Sequence, residues 1–280
     1  MRKINASKIS NVIEKLFIKV NHELNEDVSG ALINSVEKEN IDSAKDVLNI
    51  LIENAKIAKE EKIPLCQDTG LAVVFMEVGQ DVHVIGMDIK KAIDQGIRKA
   101  VKKGYLRASV VKNPISRINT KDNTPAIVHI DIAKGNKIKI SLLAKGGGAE
   151  NMSALKMLKP SDGIEGIKQF VIETVKSAGP NQCPPIIVGV GIGGNFETSA
   201  YLAKKSLLRQ IGSGNTDKGI SKLEKELLSE INDLNIGPSG LGGKTTCLAV
   251  NIETYPCHIA SLPVAVNIEC HAHRHGMIVI

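Results

Sequence analysis

Three cysteines in this sequence stand beside residues that shape a loop: Cys66 in PLCQDTG, Cys183 in AGPNQCPP and Cys270 in NIECHAHRH. Proline fixes the backbone and glycine frees it where a thiolate has to aim at a metal. The three lie 117 and 87 residues apart, which excludes a local zinc knuckle or a run of the CxxCxxC kind. A site built from them has to be assembled by the fold. Three thiolates would leave one iron of a four-iron cluster open to water or substrate, as a Lewis-acid catalyst requires and an electron carrier does not. The competing account is that each cysteine is a small buried hydrophobe.

Other motifs carry less. GVGIGG, Gly189 to Gly194, follows the strand-like PPIIV and precedes a helix, in the letters of a dinucleotide fingerprint. That site also needs a second parallel strand ending in an acid about 20 residues on, whereas here one helix leads through GSGNTDKG into another. GPSGLGGKTT has Pro238 where a phosphate loop needs its first glycine, and β-branched residues where the helix should begin. The tail HAHRH sets His271, His273 and His275 at alternate positions, which on one strand face could hold zinc beside Cys270.

The positioning elements follow from periodicity. Ile9, Val12, Ile13, Leu16 and Val20, and then Ala44, Val47, Leu48, Leu51, Ala55 and Ala58, recur at helical spacing, so the first quarter is helical. PLCQDTG is a loop, and LAVVFMEVG after it is a buried strand. A helix spans Asp88 to Lys103. Residues 128–132 and 138–142 alternate about the Lys134–Asn136 turn as an antiparallel hairpin. Helices at about 151–158, 163–178, 195–210 and 218–234 are interleaved with a strand at 185–192, and the last 40 residues return to strand. The expectation is a mixed α/β (α+β) fold. It forms one unit over 1–280, with a helical part at 1–62 and a mixed, partly antiparallel sheet with packed helices at 63–280.

Composition narrows the functions. With 42% hydrophobic and 24% charged residues the chain has ample material for a core. The net charge of +6 is spread along helices and aromatics are 2% with no Trp, which disfavours nucleic acid and suits steering of a small dianion. No apolar run approaches the roughly 20 residues of a membrane helix, and the N-terminus lacks a leader's apolar core, so the expected place is the cytoplasm. An odd number of cysteines, five, argues against a disulfide framework.

In combination, PLCQDTG, LRASVV followed by NTKDNTPA, AKGGGAENMS, CPPIIVGVGIGGNFE and GGKTTCLAVNIETYPCHIASLPVAVNIECHAHRH resemble the alpha subunit of class I, iron–sulfur-dependent fumarate hydratases, a family that includes L-tartrate dehydratase. The likeness covers about residues 60 to 275. It implies that Cys66, Cys183 and Cys270 hold a 4Fe-4S cluster, and it leaves Cys247 and Cys257 to packing. It further implies that Asp68 is the acid that helps a hydroxyl leave, which needs a raised pKa, and that Gln67, Arg107, Gly147 and His258 contact a small dicarboxylate. Taken singly, Asp68 could equally cap the turn before Thr69 and Gly70, Arg107 sit at a helix end, the Gly146–Gly148 run form an ordinary turn, and His258 be a satisfied histidine.

Single-chain members of that family continue into a second domain with a catalytic Thr base and further cations, which has no counterpart before Ile280. The resemblance therefore implies a separate beta subunit that completes the active site. It also implies a heterotetramer with alpha–alpha contact, and a role in the tricarboxylic acid cycle. Hydration of fumarate to (S)-malate is the leading expectation and tartrate dehydration the alternative; a zinc-stabilised binding protein is the reading from a different class.

Overall fold

The computed structural model describes residues 1–280. In chain order the elements are β1 (Arg2–Asn5), α1 (Ala6–His22), α2 (Glu26–Lys38), α3 (Asp42–Glu61), β2 (Leu71–Gly79), β3 (Val82–Ile85), α4 (Ile89–Lys103), β4 (Ile127–Ala133), β5 (Ile138–Lys145), α5 (Gly147–Glu150), β6 (Ala154–Leu158), α6 (Gly163–Ala178), β7 (Ile186–Gly193), α7 (Phe196–Ser206), α8 (Lys218–Asn232), β8 (Cys247–Tyr255), β9 (Leu262–Glu269) and β10 (His275–Val279). This is the mixed α/β fold with a helical first quarter that the periodicity predicts. No helix is long and apolar enough to cross a membrane.

The chain forms two compact units, one of Met1–Asn25, Asn54–Gly147 and Arg274–Ile280, the other of Glu26–Glu53 and Gly148–His273. In the first, strands in the order β10-β5-β2-β4 make a mixed sheet, beside a parallel β1-β3 pair. Ile9, Ile13, Phe17 and Val20 of α1 and Ala92, Ile93, Ile97 and Ala100 of α4 share a core with Val74, Met76, Ile140 and Leu142 of the sheet. The two helices meet where α4 has no side chain: a Cβ on Gly96 would lie 2.6 Å from the Ser10 carbonyl and 2.8 Å from Ile13. Asn5 caps α1 by accepting from the Ser7 N–H, and Asp88 caps α4 by accepting from Lys91.

Two sequence expectations are corrected. The strands at 127–133 and 138–145 do not pair as a hairpin, because β2 lies between them, with Val74 opposite Val128 in parallel and opposite Leu142 in antiparallel. The apolar run of β2 belongs in a sheet's interior, covered on both edges. The turn after β4 bonds to the end of β2 through Gln80 N–H to Ala133 and Asp81 N–H to Gly135. Residues 154–158, expected as helix, are instead strand β6, paired antiparallel to β9 with Ala154 opposite Val266. The backbone groups of this edge segment find partners in the ladder, and its single deeply buried side chain is Leu158; one buried residue does not make a helical stripe.

The second unit is built on the sheet β6-β9-β7-β8. Its core joins Val188 and Val190 to Val171 and Val175 of α6, Leu223, Leu227 and Ile231 of α8, and Val264, Val266 and Ile268 of β9. Gly189, Gly191 and Gly193 of GVGIGG lie within β7, where the first two admit a helix. A Cβ on Gly189 would stand 2.2 Å from the Ala203 carbonyl, and one on Gly191 would stand 2.0 Å from the Ser199 carbonyl, both on α7. The motif is therefore a close sheet–helix contact. Cys247 opens β8 in this core, donates to the Ala249 carbonyl at 3.1 Å, and burial pushes its thiol up to about 12.

Gly191→Ala is expected to lower stability by about 1–3 kcal/mol through overpacking. Gly30→Ala, in α2 with nothing within 4 Å of the added carbon, should raise it by up to about 1 kcal/mol. Denaturant unfolding of the two variants checks both signs. Cys247 makes a second prediction. Its folded pKa lies above the ordinary value of 9.0, so the stability it contributes is complete below about pH 9 and is lost as pH rises toward about 12. Cys247→Ala should be less stable than the parent at pH 7, and the gap should narrow above pH 9 by at most about 1.4 kcal/mol per pH unit. An unchanged gap across that range would contradict it.

Candidate active site

The Pro64–Gly70 loop joins α3 to β2 in the first unit. Leu65 is buried and is held from both sides, its N–H by the Asn21 carbonyl at 2.8 Å and its carbonyl by Asn54 Nδ2 at 3.0 Å. Beyond this anchor, Cys66 is half-buried; its thiol donates to Gln67 Oε1 at 3.4 Å and accepts from the Asp68 N–H at 3.4 Å. Gln67 is exposed.

Asp68 is gripped throughout. Oδ1 accepts from the Gly70 N–H at 3.0 Å and the Ser109 hydroxyl at 3.3 Å, and Oδ2 accepts from the Gly147 N–H at 2.8 Å. Its backbone carbonyl accepts from Arg274 Nη1, which also donates to Asn21 Oδ1 at 3.1 Å. Arg274 is 1% exposed, so this charge is fixed in place. Gly70 must be glycine: its φ is +72°, and a Cβ would stand 2.6 Å from the Lys145 carbonyl carbon.

Burial pushes the Asp68 carboxyl up. The Gly147 and Gly70 N–H groups, the Arg274 guanidinium and the Ser109 hydroxyl together outweigh it and hold the group below the ordinary carboxylate range. The raised pKa expected of an acid is therefore not what this arrangement produces, because its neighbours are donors and a cation rather than negative charge. Asp68 caps the turn at Gly70, as its single-residue reading has it, and it also accepts from the Gly147 N–H. Arg107 is exposed, two residues before the Ser109 that bonds Asp68.

In the second unit Cys183 ends a short 3₁₀ turn, Gly179–Gln182, in a left-handed conformation with φ 55° and ψ 63°, and is exposed. Cys270 follows β9, half-buried, its N–H and thiol both directed at Glu269 Oε1. The two loops are joined: the Cys183 carbonyl accepts from both the backbone N–H of His271, at 3.4 Å, and its ring Nδ1, at 3.0 Å. His258 lies exposed between β8 and β9, its Nδ1 accepting from the Ala260 N–H at 3.1 Å. Cys257 is exposed in the same turn, with its thiol donating to the Ser261 carbonyl.

Cys66 thus belongs to the first unit and Cys183 and Cys270 to the second, and within neither do three or more His, Cys, Asp or Glu side chains form a metal-holding group. The tail histidines do not share a strand face. His271 turns to Cys183, His273 Nε2 to the Leu207 carbonyl at 2.7 Å, and the His275 ring to Asn25. The three loop cysteines are each at least partly accessible and joined by no disulfide, as donors to iron have to be, and exposed Cys257 shares both properties. Cys247 does not fit, since burial keeps it a thiol.

Sequence reasoning missed Ser109, Asn21, His271 and Arg274. The last two stand one and four residues beyond Cys270, where they read as zinc ligand and spacer. Ser109 lies inside LRASVV, and nothing marks Asn21 among the polar residues of α1. The loop before β8 also has a partner of its own, for Glu39 Oε2 accepts from the N–H of Lys244 at 2.7 Å and of Thr245 at 3.3 Å. An internal carboxylate takes the amides that suggested a phosphate loop.

Residues 10–279 match the family profile described as fumarate hydratase (fumerase). A chain of Methanocaldococcus jannaschii, provisionally named an L(+)-tartrate dehydratase subunit alpha, is 49% identical over 276 residues, 96% of each chain. The L(+)-tartrate dehydratase subunit alpha of Escherichia coli O157:H7 is 31% identical over 278 residues, covering 98% of this chain and 91% of the other. The K12 counterpart of the same name is similar to the same degree. The match runs through both units and every loop described above, and the chain belongs to the fumarate hydratase family of hydro-lyases.

Proposed function

We propose that this chain is the cluster-binding alpha subunit of a two-subunit hydro-lyase that reversibly hydrates fumarate to (S)-malate. The observation that carries the reading is the Cys66–Gln67–Asp68 loop, where a thiol that accepts an N–H lies two residues from a carboxylate held by three donors. Cys66, Cys183 and Cys270 are the ligands of a 4Fe-4S cluster in this proposal. When bound, such a cluster supplies a Lewis-acidic iron for a hydroxyl and a carboxylate.

Around that chemistry the chain's own side chains bind and move a proton. Gln67 and the Arg107 fork hold carboxylate oxygens. His258 has Nδ1 as an acceptor, so its Nε2–H is the donor turned outward to the substrate. In dehydration Asp68 gives a proton to the departing hydroxyl, and in hydration it takes one from water. Its grip favours the ionised form, so the proton has to be placed by the substrate's own charge: two carboxylates beside Asp68 raise its pKa by like-charge repulsion. Removal of the C3 proton falls to a base on a separate beta subunit. That requirement is supported by the relatives' designation as alpha subunits. The proposed assembly is a cytoplasmic heterotetramer of two alpha and two beta chains, built about an alpha–alpha contact and serving the tricarboxylic acid cycle. L(+)-tartrate is the second reading, favoured by the names of those relatives, and it needs room for one further hydroxyl.

The test is anaerobic reconstitution with ferrous iron and sulfide, alone and with the candidate beta subunit, followed by assays on malate, fumarate and tartrate. Cys66→Ala, Cys183→Ala and Cys270→Ala should each fail to retain a full cluster, whereas Cys247→Ala and Cys257→Ala should retain it. The alpha chain alone should turn over about 100-fold to 10,000-fold more slowly than the mixture, the usual effect of a missing general base. Full activity without iron would end the cluster reading, and equal turnover by alpha alone would end the divided site. The ratio of rates on malate and tartrate decides between the two substrates. Asp68→Asn keeps the size of the side chain and cannot donate a carboxyl proton. It should load iron normally yet lose about 100-fold to 10,000-fold in kcat, and near-parental kcat would remove Asp68 from the proton's path.

A further inference from the structure

Cys183 and Cys270 are separated by 87 residues, yet one side chain reaches from the second to the first. His271 bonds the Cys183 carbonyl twice, through its backbone N–H at 3.4 Å and its ring Nδ1 at 3.0 Å. A carbonyl oxygen can only accept, so Nδ1 carries the proton in this contact. The shorter bond is the ring's. Cys183 itself sits at φ 55° and ψ 63°, a left-handed conformation that a residue with a Cβ adopts only when its surroundings hold it there. Its N–H is tied to the Pro180 carbonyl at 3.0 Å, its carbonyl to His271, and Pro184 and Pro185 follow directly. The direction of the Cys183 side chain is therefore set by a three-part clamp, of which His271 is the member that belongs to the other cysteine's loop.

We infer that His271 is a positioning residue for the iron–sulfur site, one that fixes the Cys183 and Cys270 loops against each other before any iron is bound. This rests on the proposed ligand set and adds a residue that binds no iron. A ligand loop fixed beforehand loses less freedom when the metal arrives, and groups that orient ligands in this way typically contribute about 10-fold to 100-fold in metal affinity. The ring is half-buried at the surface of its unit, so its removal perturbs the loop and not the core.

The experiment uses the full-length chain reconstituted anaerobically with ferrous iron and sulfide. Iron and acid-labile sulfide per chain, and the rate at which a ferrous chelator strips iron, are read for His271→Ala, His271→Asn, His271→Gln and Cys183→Ala, with the melting temperature of each apo chain beside them. Apo melting should be unchanged in the His271 variants. His271→Ala and His271→Gln should release iron about 10-fold to 100-fold faster than the parent. His271→Asn should recover most of the loss, because its amide nitrogen stands near the place of Nδ1 while that of Gln stands near Nε2. If His271→Ala keeps its iron as long as the parent while Cys183→Ala holds none, the positioning role is overturned and the ligand set stands. If Asn behaves as Ala does, the Nδ1 bond is not the agent. A full cluster in Cys183→Ala overturns the ligand assignment and this inference with it.

Discussion

A carboxylate that is half out of water, two residues from an accessible thiol, is held ionised in the first unit by three hydrogen-bond donors and one buried cation. Each of those partners has to be held in turn. Arg274 is almost wholly inaccessible, and an ion so placed costs several kcal/mol unless its donors are used. Nη1 is used twice, on Asn21 and on the Asp68 carbonyl. Asn21 lies in the last turn of α1, so the loop inherits its position from that helix, whose packing on α4 depends on the missing side chain of Gly96. On the opposite side Gly70 and Gly146 let strands β2 and β5 run close beneath the loop. A Cβ on Gly146 would stand 3.4 Å from Arg274 Nη2 and 3.5 Å from Asp68 Oδ2.

The second unit treats its carboxylates by the same rule but with a different result. Glu39 accepts four backbone N–H groups, and Glu224 pairs with Arg209 while accepting from Ile252 and Asn215. Both are at most 5% exposed and serve as fixed anions that fasten one segment to another. Glu150 pairs with Lys204 and accepts from Asn267, which ties the start of this unit to α7 and β9. Asp68 differs in being half-buried where Glu39 and Glu224 are enclosed, although both its oxygens also accept hydrogen bonds.

Much of this was legible in the sequence, and the rest was not for identifiable reasons. Helices α1 and α4 announce themselves because one apolar stripe faces one core. The 127–145 region misleads because alternation reports that two strands are half-buried and does not say which strand each pairs with; the partner, β2, lies about 50 residues earlier. The loops of Cys66 and Cys183 are visible through their Pro and Gly neighbours, whereas Cys270 stands among histidines with neither beside it. The groups that aim them are ordinary residues at ordinary positions: an Asn in a helix, a Ser after an Arg, a His among histidines. Their significance lies in which atom they reach, and that is a property of the fold. The glycine motifs were the reverse case, conspicuous in sequence and explained by packing, with Gly189 and Gly191 making way for α7.

The five chemically identical cysteine side chains meet different surroundings, and at one of them the free energy of making a thiolate is decisive. At Cys247 burial lifts the thiol from 9.0 to about 12, which adds about 4 kcal/mol to the cost of the anion at neutral pH before any bond to metal forms. The core that excludes water there excludes the charged form with it. Cys66 receives an N–H at its sulfur and keeps contact with solvent. Cys257 is accessible and turns its thiol to the Ser261 carbonyl, as Cys66 turns its own to Gln67 Oε1 and Cys270 to Glu269 Oε1. Cys183 is exposed, and its loop is fastened to that of Cys270 by His271. Burial sets Cys247 apart from the other four, and the proposed ligands Cys66, Cys183 and Cys270 are drawn from the accessible thiols.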